Sequence, residues 1–288
     1  MLHRCVFAGL PCLNFRYNGR VFRRTVLLAL LAAAAAVGQQ PAPKIQALII
    51  TGQNGHDWRA TTPVLRKLLE DTGRFEVRVT EEFRGAGPET LAPYDVVILN
   101  YYDKNRPELR WGERADAALL DFVRSGKGVV VYHFSTAAFN GWQEYEKLCG
   151  GNWRPQHGHH SARHDFTVDI KDTEHPITRG LGASFAQPND ELYANLQWQP
   201  ADRYHVLATA WDDHSLYHGQ ARQPTPGEGM HQPMLWTVNY GQGRVFATAL
   251  GHDPDAMKSA GFIATFTRGT EWAATGGVTL PARGQGAQ

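Results

Sequence analysis

Lys44-Ile45-Gln46-Ala47-Leu48-Ile49-Ile50-Thr51 is a near-continuous apolar run, and a strand without polar alternation must be covered on both faces. Such a strand belongs in the middle of a parallel sheet. Tyr94 to Tyr101 (YDVVILNY) and Gly128 to His133 (GVVVYH) have the same character, and Phe75 to Thr80 alternates as a short strand. After the turn Gly52 to Trp58, Thr62 is expected to cap a helix starting at Pro63. That helix would carry Val64, Leu65, Leu68 and Leu69 on one face and stop at Gly73. Trp111 to Ser125 repeats the pattern with Ala115, Ala118, Leu119, Phe122 and Val123 inward, and Gly126 stands where a C-cap glycine belongs. Strands alternating with helices in this way predict a doubly wound α/β sheet, mostly parallel.

Past Gly150 the texture changes. Short strands are expected at Phe166 to Ile170, Leu192 to Trp198, Tyr204 to Trp211, Met234 to Asn239 and Arg244 to Leu250. Their closeness predicts antiparallel or mixed pairing, with antiparallel strands added to the parallel sheet in the C-terminal half. A last helix, Ser259 to Ala274, carries Phe262, Ile263, Phe266 and Trp272, and the Gly-rich stretch from residue 275 to Gln288 reads as a loose tail. No internal repeat or second-domain linker is visible, so residues 44–274 read as one domain.

The chain has 288 residues, 42% of them hydrophobic and 20% charged, which excludes a disordered, collagenous or many-span membrane protein. Residues 1–38 hold Arg4, Arg16, Arg20, Arg23 and Arg24 and no acid. Removing those five from 29 basic residues leaves 24 against 28 acids in the rest, so no basic surplus invites nucleic acid. Thr25 to Val37 (TVLLALLAAAAAV) is an apolar run of 13 behind Arg20, Arg23 and Arg24, with small residues at Ala36 and Gly38. Residues 1–38 therefore read as a secretory signal peptide cleaved before Gln39, which implies a periplasmic or secreted protein without stable membrane insertion. The alternative is a retained anchor, for which the run is short. Beyond the leader only Cys149 remains, which excludes an internal disulfide and reads as a buried small hydrophobe.

Ligands of open α/β sheets bind beyond the carboxyl ends of the strands. The polar residues at those ends are His56, Asp57 and Trp58; Asn100, Tyr101 and Asp103; His133, Ser135 and Thr136; and His252 with Asp253. Four further histidines fall in Gln156-His157-Gly158-His159-His160-Ser161-Ala162-Arg163-His164. If this stretch is extended, His157 and His159 project to one side and can share a metal with a ligand from elsewhere; otherwise it is a solvated loop. Asp190-Glu191-Leu192-Tyr193 sets two acids before an expected strand, with Glu191 a candidate base and Tyr193 a candidate hydrogen-bond partner of substrate. Trp58, Trp111, Trp142, Trp153 and Trp198 lie in or near these loops, where indole faces suit sugar rings as well as they suit a core.

Gly55-His56-Asp57-Trp58, the strand Tyr94 to Asn100, Gly126 to His133, His175-Pro176-Ile177-Thr178, Asp190 to Tyr193 and Gly241 to Phe246 running on to Gly251-His252 occur in an order that resembles the trehalose-utilisation (ThuA-like) family. The resemblance spans about Lys44 to Ala274. It implies the class I glutamine amidotransferase-like fold, a flavodoxin-like doubly wound sheet. It also implies a role in carbohydrate metabolism beside oxidoreductases that make 3-keto sugars. The amidotransferase nucleophile is a cysteine at a sharp strand-to-helix turn, and here the corresponding strand ends in His133. Ser135 lacks the small flanking residues of a nucleophile elbow, so glutaminase activity is not expected.

Two function classes follow. The first is an exported enzyme, a hydrolase, lyase or isomerase, acting on a sugar or 3-keto glycoside. His133 or Glu191 would be its base, Asp57, Trp58, Tyr101 and Tyr193 would touch substrate, and His56, His159 and His252 would ligate a divalent metal, zinc foremost, or serve as oxyanion partners. No nucleotide cofactor is expected. The second is a non-catalytic sugar-binding or accessory protein using the same cleft. Convergence of His133, Glu191 and His252 on one pocket would favour the first.

Overall fold

Strand β1 (Ile45–Ile50) is the apolar run quoted first, and in the computed structural model of the protein only Gln46 of its six residues is not buried. Residues 43–217 and 227–282 are described; the 1–38 leader lies outside them. Strands β2 (Phe75–Thr80) and β3 (Val96–Leu99) pair with β1 on its two sides in parallel, and β4 (Gly128–Tyr132) pairs with β3 in the same sense. The chain then builds β5 (His164–Ile170), β6 (Ser184–Asp190), β7 (His205–Asp212), β8 (Met230–Tyr240) and β9 (Gly243–Thr248). All belong to one nine-stranded sheet of order β2-β1-β3-β4-β9-β8-β7-β5-β6. β9 inserts parallel to β4, and β8, β7, β5 and β6 follow antiparallel. The expected mixed α/β sheet is therefore present, parallel in its first half.

Helices α1 (Trp58–Glu70), α2 (Glu113–Arg124), α3 (Gln143–Cys149) and α4 (Ala260–Thr275) cover it. β3 and β4 have no exposed residue. α4 lies along β3, β4 and β9 and touches α1, while α2 and α3 pack on β4, β9 and β8. The approach of α4 requires Gly128, since a Cβ there would lie 2.4 Å from the Ala273 carbonyl carbon.

Three expectations need correction. α1 starts at Trp58, not Pro63, because Asp57 is the N-cap and its carboxylate accepts from the Ala60 amide at 3.1 Å. Pro63 therefore sits inside the helix. Thr62 is not a cap; its hydroxyl contacts Thr51 Oγ1 at 3.0 Å and accepts from Asn100 Nδ2 at 3.0 Å. Leu192 to Trp198 is not a strand of the main sheet. Tyr193–Ala194 pairs with His159–His160, and Gln197–Trp198 pairs with Gly151–Asn152, in two small antiparallel ladders. The strand before it, β6, carries Pro188 and has two of its seven residues buried. Proline is tolerated there because β6 is the sheet edge.

The tail is also fastened at its start. Thr279 and Leu280 donate backbone amides to buried Glu271 at 2.8 and 2.9 Å, and Arg268 Nη1 donates to the Leu280 carbonyl at 3.0 Å. Among the described residues no helix is long and apolar enough to cross a membrane.

Candidate functional site

The order of β2, β1 and β3 makes successive connections run to opposite sides of β1, and a crevice opens beyond the carboxyl ends at such a reversal. His56 enters it from the β1–α1 loop. Its backbone amide donates to Asn54 Oδ1 at 3.0 Å, Asn54 Nδ2 donates to Asn100 Oδ1 at 2.9 Å, and Asn100 Nδ2 reaches Thr61 and Thr62 on α1. The loop is thus tied to the end of β3 and the first turns of α1.

His133 directly follows β4 at φ 45°, a left-handed conformation that side chains with a Cβ rarely adopt. Its Nδ1 lies 2.7 Å from the Ala249 carbonyl oxygen. A carbonyl only accepts, so Nδ1 carries the proton and Nε2 presents a lone pair. The buried Tyr193 hydroxyl lies 2.9 Å from that Nε2 and donates to it. Ser135, two residues on, is fully buried; its hydroxyl donates to Leu99 O at 2.7 Å and accepts from the Tyr101 amide at 2.9 Å. It holds β3 against β4 and has no free nucleophilic role. Cys149 is buried, and burial pushes its thiol up to about 12.

Glu191 and His252 arrive from the antiparallel half and from the end of β9. Glu191 Oε2 lies 3.0 Å from His252 Nδ1, 3.5 Å from His56 Nε2 and 3.7 Å from His133 Nε2. One ligating atom from each of these four residues falls within 4.8 Å of the others. The rings cross edge to face, with centroids 4.4 Å apart for His56 and His252 and 4.9 Å for His56 and His133. Burial opposes a charge on Glu191, and contacts from His133, His252 and His56 outweigh it, holding the carboxyl far below its usual range. At His56 burial is the largest influence. It outweighs the Glu191 contact and, with repulsion from His133 and His252, lowers the imidazole to about 4.

Three buried atoms facing one another, or flanking the cluster, have no hydrogen-bond partner: Glu191 Oε2, His252 Nδ1 and His56 Nδ1. Close approach without hydrogen-bond geometry is costly in a buried place, and a cation between lone pairs removes the cost. Ligand atoms of a tetrahedral zinc at about 2.0–2.2 Å lie roughly 3.4 Å apart, and the three nitrogens stand around Glu191 Oε2 at distances that bracket this value. A carbonyl holds His133 Nδ1, so Nε2 is its ligand atom, and that lone pair would exchange the Tyr193 hydroxyl for the ion. The four residues could hold a metal ion.

His56, Glu191 and His252 line a cavity of about 590 Å³, with Phe134, Trp153, Tyr102, Tyr193, His160 and Asp57 among its other walls, while His133 is buried and does not line it. Of the residues expected at the site, His56, His133, Glu191 and His252 are brought together, Tyr193 contacts His133, and Asp57 lines the cavity while capping α1. Trp58 is buried at the start of α1 and does not line it. Tyr101 stacks into the core against Trp111 and Phe139, with centroids 5.0 and 5.7 Å away, and its neighbour Tyr102 lines the cavity instead.

His159 does not join the metal group and is corrected here: its Nε2 faces buried Asp212 at 3.3 Å. His160, to which no role was given, turns the other way. Its Nδ1 lies 3.3 Å from Glu191 Oε1 and 2.8 Å from Ser161 O. Neighbouring residues of a strand point to opposite faces, and the parity is set by the pairing of His160 with Tyr193. Of the five loop tryptophans only Trp153 lines the cavity; Trp111 and Trp142 are buried among aromatic neighbours, and Trp198 packs on Trp236 and Tyr204.

Comparison with known proteins gives a match of residues 46–273 to the family described as ThuA, trehalose utilisation. The fold is similar to the crystal structure of a ThuA-like protein from Parabacteroides merdae, at 31% identity and a TM-score of 0.72, covering 83% of this chain and 93% of that one. A ThuA-like protein from Bacteroides uniformis is similar at 19% identity and a TM-score of 0.63, over 84% of this chain and 98% of that one, which speaks to the fold. The cytoplasmic protein STM3548 from Salmonella typhimurium matches at 14% identity and a TM-score of 0.52, over 80% of this chain and 99% of that one. A comparison with curated proteins gives no match.

Proposed function

The chain belongs to the ThuA family, and from that premise we propose that it is an enzyme of carbohydrate metabolism that binds a sugar or 3-keto glycoside over the His56, His133, Glu191 and His252 cluster. One observation carries this. Four titratable side chains from four separate segments bring one ligand atom each within 4.8 Å of the others; His56, Glu191 and His252 line a cavity of about 590 Å³, and Glu191 Oε2 and His252 Nδ1 lack hydrogen-bond partners. A binding module needs hydrogen bonds and a stacking face, but gains nothing from a buried carboxylate oxygen and two imidazole nitrogens left without partners. The accessory-protein alternative therefore has the weaker support. The order of the parallel strands, 2-1-3-4, also agrees with the flavodoxin-like class inferred from the family resemblance.

The same four residues would hold a divalent metal, zinc foremost. Bound there, the ion would act as a Lewis acid toward a carbonyl oxygen. The chain's own residues do the rest. In a 3-keto sugar the ketone acidifies the C2 proton, and a base that removes it permits isomerisation or loss of the C1 substituent. Glu191 Oε1, on the His160 side of the carboxylate, is the atom we assign to take that proton. Trp153 and Phe134 offer faces to the sugar ring, and Tyr193 fixes His133 through its hydroxyl. Without bound metal, His133 and Glu191 remain as an acid/base pair. No thiol or free serine serves as a nucleophile at this turn, so glutaminase chemistry is not part of the proposal.

We place the protein in the periplasm or outside the cell on the Thr25 to Val37 run, and infer a sugar oxidoreductase as its pathway partner from the 3-keto chemistry. The test is to incubate the purified protein with a panel of glycosides and 3-keto glycosides, with and without chelator, and follow products by mass spectrometry. Turnover of a 3-keto glycoside that chelator abolishes is expected. Tight binding of sugars without any product would return the accessory protein.

A further inference from the structure

Asp190 is fully buried at the end of β6, next to Glu191 but facing the other way. Its carboxylate accepts four hydrogen bonds. Oδ1 takes the backbone amides of Glu191 and His252, each at 2.9 Å. Oδ2 takes the Gly251 amide at 2.7 Å and Gln187 Nε2 at 2.9 Å, and Gln187 Nε2 also reaches the Ala256 carbonyl at 2.9 Å. One buried carboxylate thus joins the end of an antiparallel edge strand to the loop after β9, two segments 61 residues or more apart in sequence. Gly251, between them, is at φ 94° and its carbonyl accepts from the buried Tyr132 hydroxyl. The backbone of the His252 loop is therefore held from both sides.

We propose that Asp190 is a positioning residue that presets Glu191 and His252 as a pair before any ion arrives. This rests on the metal reading given above. Neither side chain has another anchor of this kind: Glu191 Oε2 and His252 Nδ1 make no hydrogen bond of their own. Their separation of 3.0 Å is set between two backbones whose amides share one oxygen, Asp190 Oδ1. Charged acceptors bind backbone amides about twice as strongly as neutral ones, and outer partners of metal ligands commonly govern affinity 10–100-fold. An amide in place of the carboxylate can accept at one atom only, and its NH2 would face a backbone N–H.

The test uses the full folded protein, Asp190→Asn, and Gln187→Met as a milder variant should the first fail to fold. Zn²⁺ binding is measured by calorimetry, and the Co²⁺ absorption bands report ligand geometry. Hydrogen exchange of the Gly251 and His252 amides is followed in the metal-free protein. Asp190→Asn is expected to weaken Zn²⁺ binding about 10–100-fold, to shift the Co²⁺ bands and to speed exchange at both amides, with Gln187→Met between it and wild type. Unchanged affinity, bands and exchange in either folded variant would overturn the proposal. Should the wild type bind neither ion, the metal reading falls by itself. Exchange then decides: faster exchange at Gly251 and His252 supports the positioning role, and unchanged exchange refutes it.

Discussion

Two groups that each set histidines around one carboxylate have opposite character in this molecule. In the first, His56, His133 and His252 crowd around Glu191 and leave buried atoms without partners. In the second, His175 and His205 lie beside Asp172, and every principal contact is answered. His205 Nε2 meets Asp172 Oδ2 at 2.7 Å, Asp172 Oδ1 accepts the amides of Glu174 and His175 at 2.9 and 3.0 Å, and His175 Nδ1 accepts from the Ile177 amide at 3.2 Å. Arg268, buried in α4, fastens this corner by donating to the carbonyls of Pro176, Ile177, Arg179 and Leu280. The His175-Pro176-Ile177-Thr178 stretch that carries part of the family resemblance is thus a structural corner. Histidines held by complete partners stabilise a fold, and histidines left short of partners point to a ligand.

The contrast breaks most sharply at Glu191. Glu191→Gln keeps the size and removes the charge, and turnover of the glycoside identified by the panel is expected to fall about 10²–10⁴-fold with an unchanged far-UV circular dichroism spectrum. Asp172→Asn should leave turnover within about twofold. Comparable losses in both would erase the distinction between the two groups.

Arg268→Met tests the other side. It strands four backbone carbonyls, each of which loses a charge-assisted partner, so urea unfolding should register a loss of about 3 kcal/mol or more. Zn²⁺ affinity of the folded fraction should not change. A stable variant with weakened metal binding would show that the corner and the site are one system.

Acid sharpens the comparison without mutation. Burial lowers His56 and His175 alike, each to about 4. Unfolded histidines titrate near 6.5 and so take up protons that the native state refuses, which makes stability fall as pH drops from about 6.5 to about 4. Glu191 adds in the same direction: its carboxyl is held far below its usual range, and its contribution is present above about 4.5 and is lost as pH falls further. Urea midpoints of metal-free protein between pH 7 and 4 should decline steadily, and His175→Asn should flatten part of that slope while Zn²⁺ binding at pH 7 stays unchanged. A midpoint indifferent to pH would contradict both assignments.

The smallest expected effect separates two adjacent residues. His160→Ala removes the neighbour of Glu191 Oε1 and should lower turnover, whereas His159→Ala, whose ring faces Asp212, should leave bound zinc at wild-type stoichiometry by elemental analysis. The opposite result would mean that the strand parity at residues 159–160 is wrong.

That parity marks the limit of what could be read without coordinates. The sequence points to His159 and Tyr101 where the structure places His160 and Tyr102, each one position away. In an extended chain one residue reverses the direction of a side chain, and the direction is set by the partner strand or the covering helix. His160 had a weak signal in its place beside His159. The edge strand β6 had none, because Ser184-Phe-Ala-Gln-Pro-Asn-Asp190 is neither apolar nor regularly alternating and takes its form from pairing with β5.

The apolar runs at β1, β3 and β4 were legible because burial on both faces leaves a mark in composition at every position, and a local pattern needs no distant partner to be recognised. The same holds for His56, His133 and His252, since the carboxyl end of each parallel strand follows from the strand itself. Glu191 was visible as a candidate but not as the centre of three imidazoles. Its place depends on β6 closing the far edge of the sheet and on Asp190 gripping the loop after β9 across 62 residues of chain. Local sequence determined which elements form and which polar groups stand at their ends. Only the tertiary structure decided which of those ends meet, because that is fixed by strand order and by buried hydrogen bonds between segments that are remote along the chain.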